Sequence, residues 1–420
     1  MVVTNWAGNV SFRAAAFHQP ASVPELQRLV AASPRVKALG LGHSFNPIAD
    51  TTGDLVSLAR LPKPVTIDAA LRRVTVGAGV TYGELAARLD QAGYALANLA
   101  SLPHISVAGA VATGTHGSGN SLGSLATAVA AIDLITASGD LVTLSRDHSG
   151  AQFAGAVVSL GALGIAVTVT LDIEPTYQVR QYVYENLPLA ALDDHLDEVF
   201  ASAYSVSLFT DWRAPVITQA WLKLRAGQGL ARPPQRWLGA RQADGPRHPL
   251  GLDPAWCTPQ LGVPGPWHER LPHFRLDFTP SAGQELQSEY LIPRHRALEA
   301  IHAIEPIGDR IAPVLQVAEI RTVAADDLWL SPCYQRDTTA FHFTWIDDPA
   351  AVLPVLAVIE DQLAPLAPRP HWGKLFTMAP DVLASEYQRL PDFAGLLLSH
   401  DPSGKFRNAF LDAYLPAAPG

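Results

Sequence analysis

A chain of 420 residues is too long for one ordinary domain and implies two or three, at about 150 residues each. Hydrophobic residues make up 48% of it, enough for sizeable cores, whereas charged residues reach only 16%, under the roughly 25% of typical soluble domains, so few polar positions are ionic. The net charge of −9 is spread without a basic run, which excludes nucleic acid as the expected partner and does not favour an acidic substrate.

In chain order, PELQRLVAAS (24–33) places Leu26, Leu29 and Val30 on one stripe and predicts a helix, and RVKALG (35–40) then reads as a strand. RRVTVGAGV (72–80) is a second strand, and TYGELAARLDQAG (81–93) a helix closed by Gly93. LATAVAAIDLITASGDLVTLS (125–145) predicts paired strands joined at the Ser138-Gly139-Asp140 turn. From Glu174-Pro175 onward the texture changes. Strand-like pieces at 204–212, 217–224, 274–280, 318–323 and 341–346 are separated by long connections rich in Pro, Gly and Trp. Residues 228–272 are too broken for regular structure, yet their tryptophans imply packing. A last stretch runs from HWGKLF (371–376) to GKFRNAF (404–410).

Cys257 and Cys333 form neither a disulfide framework nor a CxxC, consistent with a reducing compartment. The opening MVVTNWAGNV lacks a basic segment followed by an apolar one, so no signal peptide is expected. No run of about 18 apolar residues is apparent, so no membrane span is expected either. The expected location is the cytoplasm.

Between Gln91 and Ile132 there is no Asp, Glu, Lys or Arg. That stretch holds ANLASLPHISVAGAVATGTHGSGNSLGS, whose small residues allow close approach to a large ligand and whose successive amides could cradle a diphosphate. A tightly packed core loop explains the composition equally well. GAGVTYG (77–83) misses the GxGxxG spacing and has no acidic residue about 20 positions later, which argues against a conventional NAD site. In GLGHSFN (40–46), His43 follows two glycines that free the backbone to turn beneath a ligand. Its residue type alone leaves four roles open: metal ligand, base, nucleophile toward a cofactor, or core histidine. Its nearest histidine companions, His104 and His116, lack metal-site spacing, so no metal is expected.

Period-two alternation puts Glu319 and Arg321 on one face of VAEIRTV, and His342 and Thr344 on one face of FHFTW. If the strands are neighbours, these groups converge, and Lys374 in HWGK adds an ammonium. Such a mixture suits a polyhydroxyl substrate, because each buried hydroxyl needs a donor or acceptor. A solvated ion-paired face fits the same pattern. TDWRAP (210–215) and QSEYLIPR (287–294) read mainly as sheet packing, and Trp267 and His268 as core or interface residues.

Taken together and in order, GLGHSFN, VTVGAGVTYGEL, SLPHISVAGAVATGTHGSG and the late HWGK resemble the vanillyl-alcohol-oxidase superfamily, and within it the alditol oxidases. The resemblance runs from NWAGN to DPSGKFRNAF and is more distant to the aldonolactone oxidases. It implies an α+β, two-domain FAD-binding fold of the PCMH type with an antiparallel-sheet substrate domain. The implied division is 1–177 for FAD, 178–368 for substrate, and 369–420 returning to the FAD domain. It also implies FAD bonded covalently to His43, through a single bond because the flavin segment has no cysteine. The flavin contacts it implies are Ala38, Leu39, Gly40, Leu41, Gly42, Ser44, Ser101, Ser106, Gly109, Thr113, Gly114, His116, Gly117, Ser118, Ile165 and His371. Leu41 stands where relatives often have a small residue, a departure that leaves His43 in register.

The implied activity is oxidation of the terminal hydroxyl of a polyol such as xylitol or sorbitol, with oxygen reduced to hydrogen peroxide. The alternative is oxidation or dehydrogenation of an aldonolactone of the L-gulono- or galactono-1,4-lactone type. Arg321, Lys374, His342 and Glu319 would be catalytic, and Ser101, Glu319, Arg321, Thr344 and Lys374 would bind substrate. His342 and Lys374 both remain candidate bases. The expected partners are an alditol and oxygen, with no nucleic acid or membrane, and the expected state is a monomer.

Overall fold

The computed structural model describes residues 3–227, 233–278 and 284–416. Near the start, helix Val23–Ala32 opens on Ser22, whose hydroxyl accepts from Glu25 N–H, with Pro24 in the first turn. The helix buries Leu26 and Val30 completely. Beside it lies a parallel three-stranded sheet in the order Ala16–His18, Asp54–Ser57, Val36–Leu39. An antiparallel five-stranded sheet follows, in the order Val65–Asp68, Arg73–Gly77, Ile165–Asp172, Val129–Ile135, Leu141–Ser145. Helix Tyr82–Gln91 starts in a capping box formed by Thr81 and Glu84. It ends at a turn where Gly93 takes φ +82°, which glycine adopts without strain.

The rest of the chain builds a ten-stranded sheet, almost wholly antiparallel, that begins at Gln178. Its middle is Val216–Arg225, Ser205–Thr210, Leu315–Val323, Thr338–Ile346 and Glu285–Pro293 in that order, with Arg369–Pro370 at one edge. Register aligns Phe209 with Glu319, Glu319 with His342, and His342 with Glu289. Cross-strand partners point to the same side, so one row crossing four strands carries an aromatic ring, two carboxylates and an imidazole to one face. Ile320, Phe343 and Tyr290, on the alternate positions, join the main core with Ile301, Ile304 and Leu356 of the covering helices.

Two readings are corrected. Residues 274–278 of FRLDFTP form no strand; Phe274 makes one isolated bridge to Cys257, and Arg275 pairs with Asp277 two residues on. Alternating apolar residues here meet no neighbouring ladder, and Leu276 is left 46% exposed. Thr279 and Pro280 lie outside the described residues, as do residues 228–232 of the irregular stretch. The expectation of no sufficiently apolar segment also needs revision, since Pro349–Leu366 is long and apolar enough to cross a membrane. Here its Val352, Leu356, Ile359 and Leu363 are fully buried in the main core. In the last segment, Lys405 Nζ donates to the carbonyls of Val30 and Ala137, both at 2.7 Å.

Candidate active site

A cavity of about 680 Å³ runs between the two sheet systems, within the usual range for small-molecule sites. One end is walled by GLGHSFN. Gly42 takes φ +71°, and its carbonyl accepts from Trp6 N–H at 2.8 Å. Asn46 Nδ2 donates to the carbonyls of Trp372 and Lys374, each at 2.8 Å, which locks this loop to HWGK over 300 residues away. HWGK is in turn pinned to strand Glu285–Pro293, because His371 N–H donates to Glu289 C=O at 2.9 Å and Leu375 N–H to Gln287 C=O at 2.8 Å.

His43 is half-buried, and its ring stacks on Trp6 with centroids 5.0 Å apart. Burial, with a smaller contribution from His104, lowers its pKa to about 4. The imidazole is therefore neutral at physiological pH, as a nucleophile or ligand requires. Opposite it lies the short helix Val107–Ala112. A Cβ at either Gly40 or Gly109 would stand 2.8 Å from Ser106 Oγ, so glycine keeps this cradle open at both positions. Lys37, in the wall nearby, is 3% exposed and donates to the carbonyls of Leu160 at 3.3 Å and Gly161 at 3.2 Å. Burial lowers its pKa to about 7 against the pull of Asp401.

At the other end the four-strand row forms a buried ionic network. Glu289, 1% exposed, accepts from Arg321 Nη2 at 2.7 Å on one oxygen and from Lys374 Nζ at 2.8 Å on the other. Burial pulls its pKa up, but Lys374, His116 and Arg321 together hold it well below the usual carboxylate range. Glu319 is likewise held down by Arg321, His273 and His342 despite burial. Arg321 Nη1 donates to Ser101 Oγ at 3.1 Å.

Lys374 Nζ also reaches His342 Nδ1 at 2.7 Å, and His342 Nε2 lies 3.1 Å from Thr344 Oγ1. An ammonium has protons only to give, so Nδ1 accepts and Nε2–H donates to the threonine. Burial and then Lys374 keep the His342 pKa well below its ordinary value, so the ring is neutral. Burial lowers the Lys374 pKa, opposed by Glu289. His371 Nδ1 accepts from Gly373 N–H at 3.1 Å, and burial brings its pKa to about 3.

The cavity wall includes most of the residues singled out from the sequence. Ala38 through Ser44, Ser101, Ser106, Gly109, Thr113, His116, Glu319, Arg321, His342, Thr344, His371 and Lys374 all line it. Gly114, Gly117, Ser118 and Ile165 do not. Gly114, at φ +68°, packs on Pro332, and Gly117 is closed in by Asn98 and Leu99. Ser118 spends its hydroxyl on Val206 C=O, and Ile165 is buried in a smaller core with Leu26 and Val36. These four shape the wall from behind.

Glu289 was read as sheet packing, yet it joins the two cations of the site. The missed signal was its alternation with Gln287, which also lines the cavity. His273 and Lys223 were missed as well, as were Phe209, His248, Trp256, Phe274 and Phe278, which form an aromatic mouth. Trp267 is fully buried, its ring centroid 6.1 Å from that of Tyr177, and so belongs to the core.

Residues 14–145 match the family model described as FAD binding domain, and residues 282–414 the model for D-arabinono-1,4-lactone oxidase. These matches, a glycine cradle at one end of the cavity and a polar pocket at the other define an FAD-dependent oxidoreductase. Among solved structures, cholesterol oxidase from B. sterolicum shares the fold, with TM-score 0.78 at 15% identity, covering 99% of this chain and 96% of that one. The chain is 52% identical to an alditol oxidase from Streptomyces sp. over 97% of its own length and 98% of the relative's. It belongs to the alditol oxidase family. L-Gulonolactone oxidase from Bos taurus is more distant, 27% identical over 97% of each chain.

The residues present fit FAD. The Gly40–Gly109 cradle, the neutral imidazole of His43, which makes no hydrogen bond among the described residues, and the buried Lys37 amine all line the cavity. His116, also in the lining, bonds Gly117 C=O through Nδ1 at 2.9 Å and faces Glu289 Oε1 with Nε2 at 3.4 Å.

Proposed function

We propose that this protein oxidises the terminal primary hydroxyl of an alditol such as xylitol or sorbitol to the aldose, using FAD bonded covalently to His43. Oxygen is reduced to hydrogen peroxide. The observation that carries the reading is the convergence of Ser101, Glu319, Arg321, His342, Thr344 and Lys374 on one cavity end, supported by the 52% identity to an alditol oxidase. FAD, when bound, supplies the two-electron acceptor and the route from it to oxygen. The remaining work falls to the chain's own side chains.

Ser101 and Arg321 receive the reacting oxygen, and Arg321 and Lys374 offset negative charge as it develops there. His342 Nδ1 already accepts from the Lys374 ammonium and Nε2 carries the proton given to Thr344, so the hydroxyl proton is taken through Lys374, which passes one of its own protons to Nδ1 as it receives the substrate's. The Oε2 atom of Glu319 makes no hydrogen bond among the described residues and takes a neighbouring hydroxyl. This cavity end thus offers both donors and acceptors to the hydroxyls of a short polyol. A peroxidase-coupled assay with xylitol, sorbitol and L-gulono-1,4-lactone tests this. Peroxide from the alditols is expected; none from any alditol overturns the reading, and turnover of the lactone alone places the protein with the lactone enzymes.

A further inference from the structure

Behind Glu319 lies a second chain of buried groups. His273 Nε2 is 2.7 Å from Glu319 Oε1, and His273 Nδ1 is 3.0 Å from Lys223 Nζ. Lys223, 1% exposed in strand Val216–Arg225, gives its other protons to the carbonyls of Leu271 and Pro272. An ammonium has three donors, and here all three are used. Its third proton points at His273 Nδ1, so that nitrogen must accept and Nε2 must carry the proton. Glu319 is a carboxylate, which also demands a proton on Nε2. Both neighbours therefore select the same tautomer. Lys223 keeps the shared charge, since burial leaves its pKa at about 7 and takes that of His273, also under Lys223, to about 4. Phe209 and Trp221 wall the imidazole edge-on at 5.5 and 5.3 Å, and its backbone N–H is fixed on Ser101 C=O at 3.1 Å.

We propose that His273, its tautomer set by Lys223, is a positioning residue that fastens one oxygen of Glu319 and presents the other to the substrate, and so sets affinity for the alditol. The inference rests on the alditol reading above. Unfastened, the carboxylate would swing fully onto Arg321, whose Nε is 3.6 Å from the same oxygen and has no hydrogen-bond partner among the described residues. The second hydroxyl would then lose its acceptor. The effect falls on binding more than on the chemical step, because Glu319 does not touch the reacting proton.

The test is steady-state kinetics on flavin-loaded enzyme. His273→Leu is expected to raise KM for xylitol about tenfold or more, the cost of one charge-assisted hydrogen bond, with kcat within about threefold. His273→Gln places an amide N–H where Nε2–H was and is expected to recover most of the loss. Lys223→Met leaves Glu319 alone to hold the tautomer and removes a cation from beside the ring, which then protonates more readily, so KM acquires a dependence on pH below neutrality that wild type lacks. Nitrogen-15 NMR of histidine-labelled enzyme gives a readout independent of turnover: His273 is expected as the Nε2–H form in wild type. An unchanged KM in His273→Leu, equal losses in the Leu and Gln variants, or an Nδ1–H ring in wild type would each overturn the proposal. Wild-type enzyme that turns over no alditol would instead sink the functional reading, leaving the NMR result to judge the relay.

Discussion

Replacing Glu289 by Gln removes one charge from the centre of the site while keeping its shape. Each Glu289 oxygen faces a different cation, Arg321 at 2.7 Å and Lys374 at 2.8 Å. Glutamine has one acceptor oxygen and one NH2, so one cation must meet a donor. At these distances each pair attracts by about 6 kcal/mol at an effective dielectric of about 20. Most of that offsets desolvation, and breaking a buried pair in this way costs about 3–5 kcal/mol net. Lys374 is the weaker partner: burial already lowers its pKa, and Glu289 is the first group opposing that fall. In the variant its pKa falls further, so the cation is lost at lower pH and the basic limb of kcat/KM moves toward neutrality. With the cation gone, kcat/KM for xylitol is expected to drop about 100-fold, equivalent to roughly 3 kcal/mol of electrostatic stabilisation. A pH profile of kcat/KM with a thermal melt checks both. A variant within threefold of wild type, with an unmoved basic limb, would refute the reasoning.

The same carboxylate sets an acid limit. Its folded-state pKa lies below the unfolded value, so its stabilisation is fully present above about pH 4.5 and is lost as pH falls below that; acid unfolding monitored by circular dichroism should be less steep in Glu289→Gln. His43→Ala should release the flavin from covalent attachment, so that acid precipitation leaves a colourless pellet and a yellow supernatant. Gly117→Ala should lose about 1–3 kcal/mol of stability through overpacking against Asn98 and the Leu99 carbonyl, with flavin content retained at low temperature. A colourless but fully stable Gly117→Ala protein would show instead that the glycine faces the cofactor.

Much of this site was legible because strands impose a period of two. Glu319 with Arg321, and His342 with Thr344, share faces by spacing alone, and the register then sets Glu319 opposite His342. Glu289 sits on the next strand in the same row, but its meaning depends on cations 32 and 85 residues away in sequence. Local pattern cannot supply those partners, so a carboxylate among Ser288 and Tyr290 reads as packing. His273 was hidden for a related reason: it precedes a stretch whose apolar alternation suggests a strand, while the chain there follows the cavity mouth without a ladder. The glycine-rich segment shows the opposite limit. Composition reveals that small residues are needed, not what fills the space, and at Gly109 it is the Ser106 hydroxyl on the cavity wall while at Gly117 it is Asn98. The α/β and antiparallel halves were visible from the change of texture near Glu174-Pro175, where the large sheet begins three residues later.

The most direct test is anaerobic mixing of the purified yellow protein with xylitol while absorbance near the flavin band is followed. Rapid bleaching by xylitol, slow or no bleaching by L-gulono-1,4-lactone, and recovery of colour with release of peroxide on admitting air are expected. A flavin that stays oxidised with every alditol offered would contradict the proposed function.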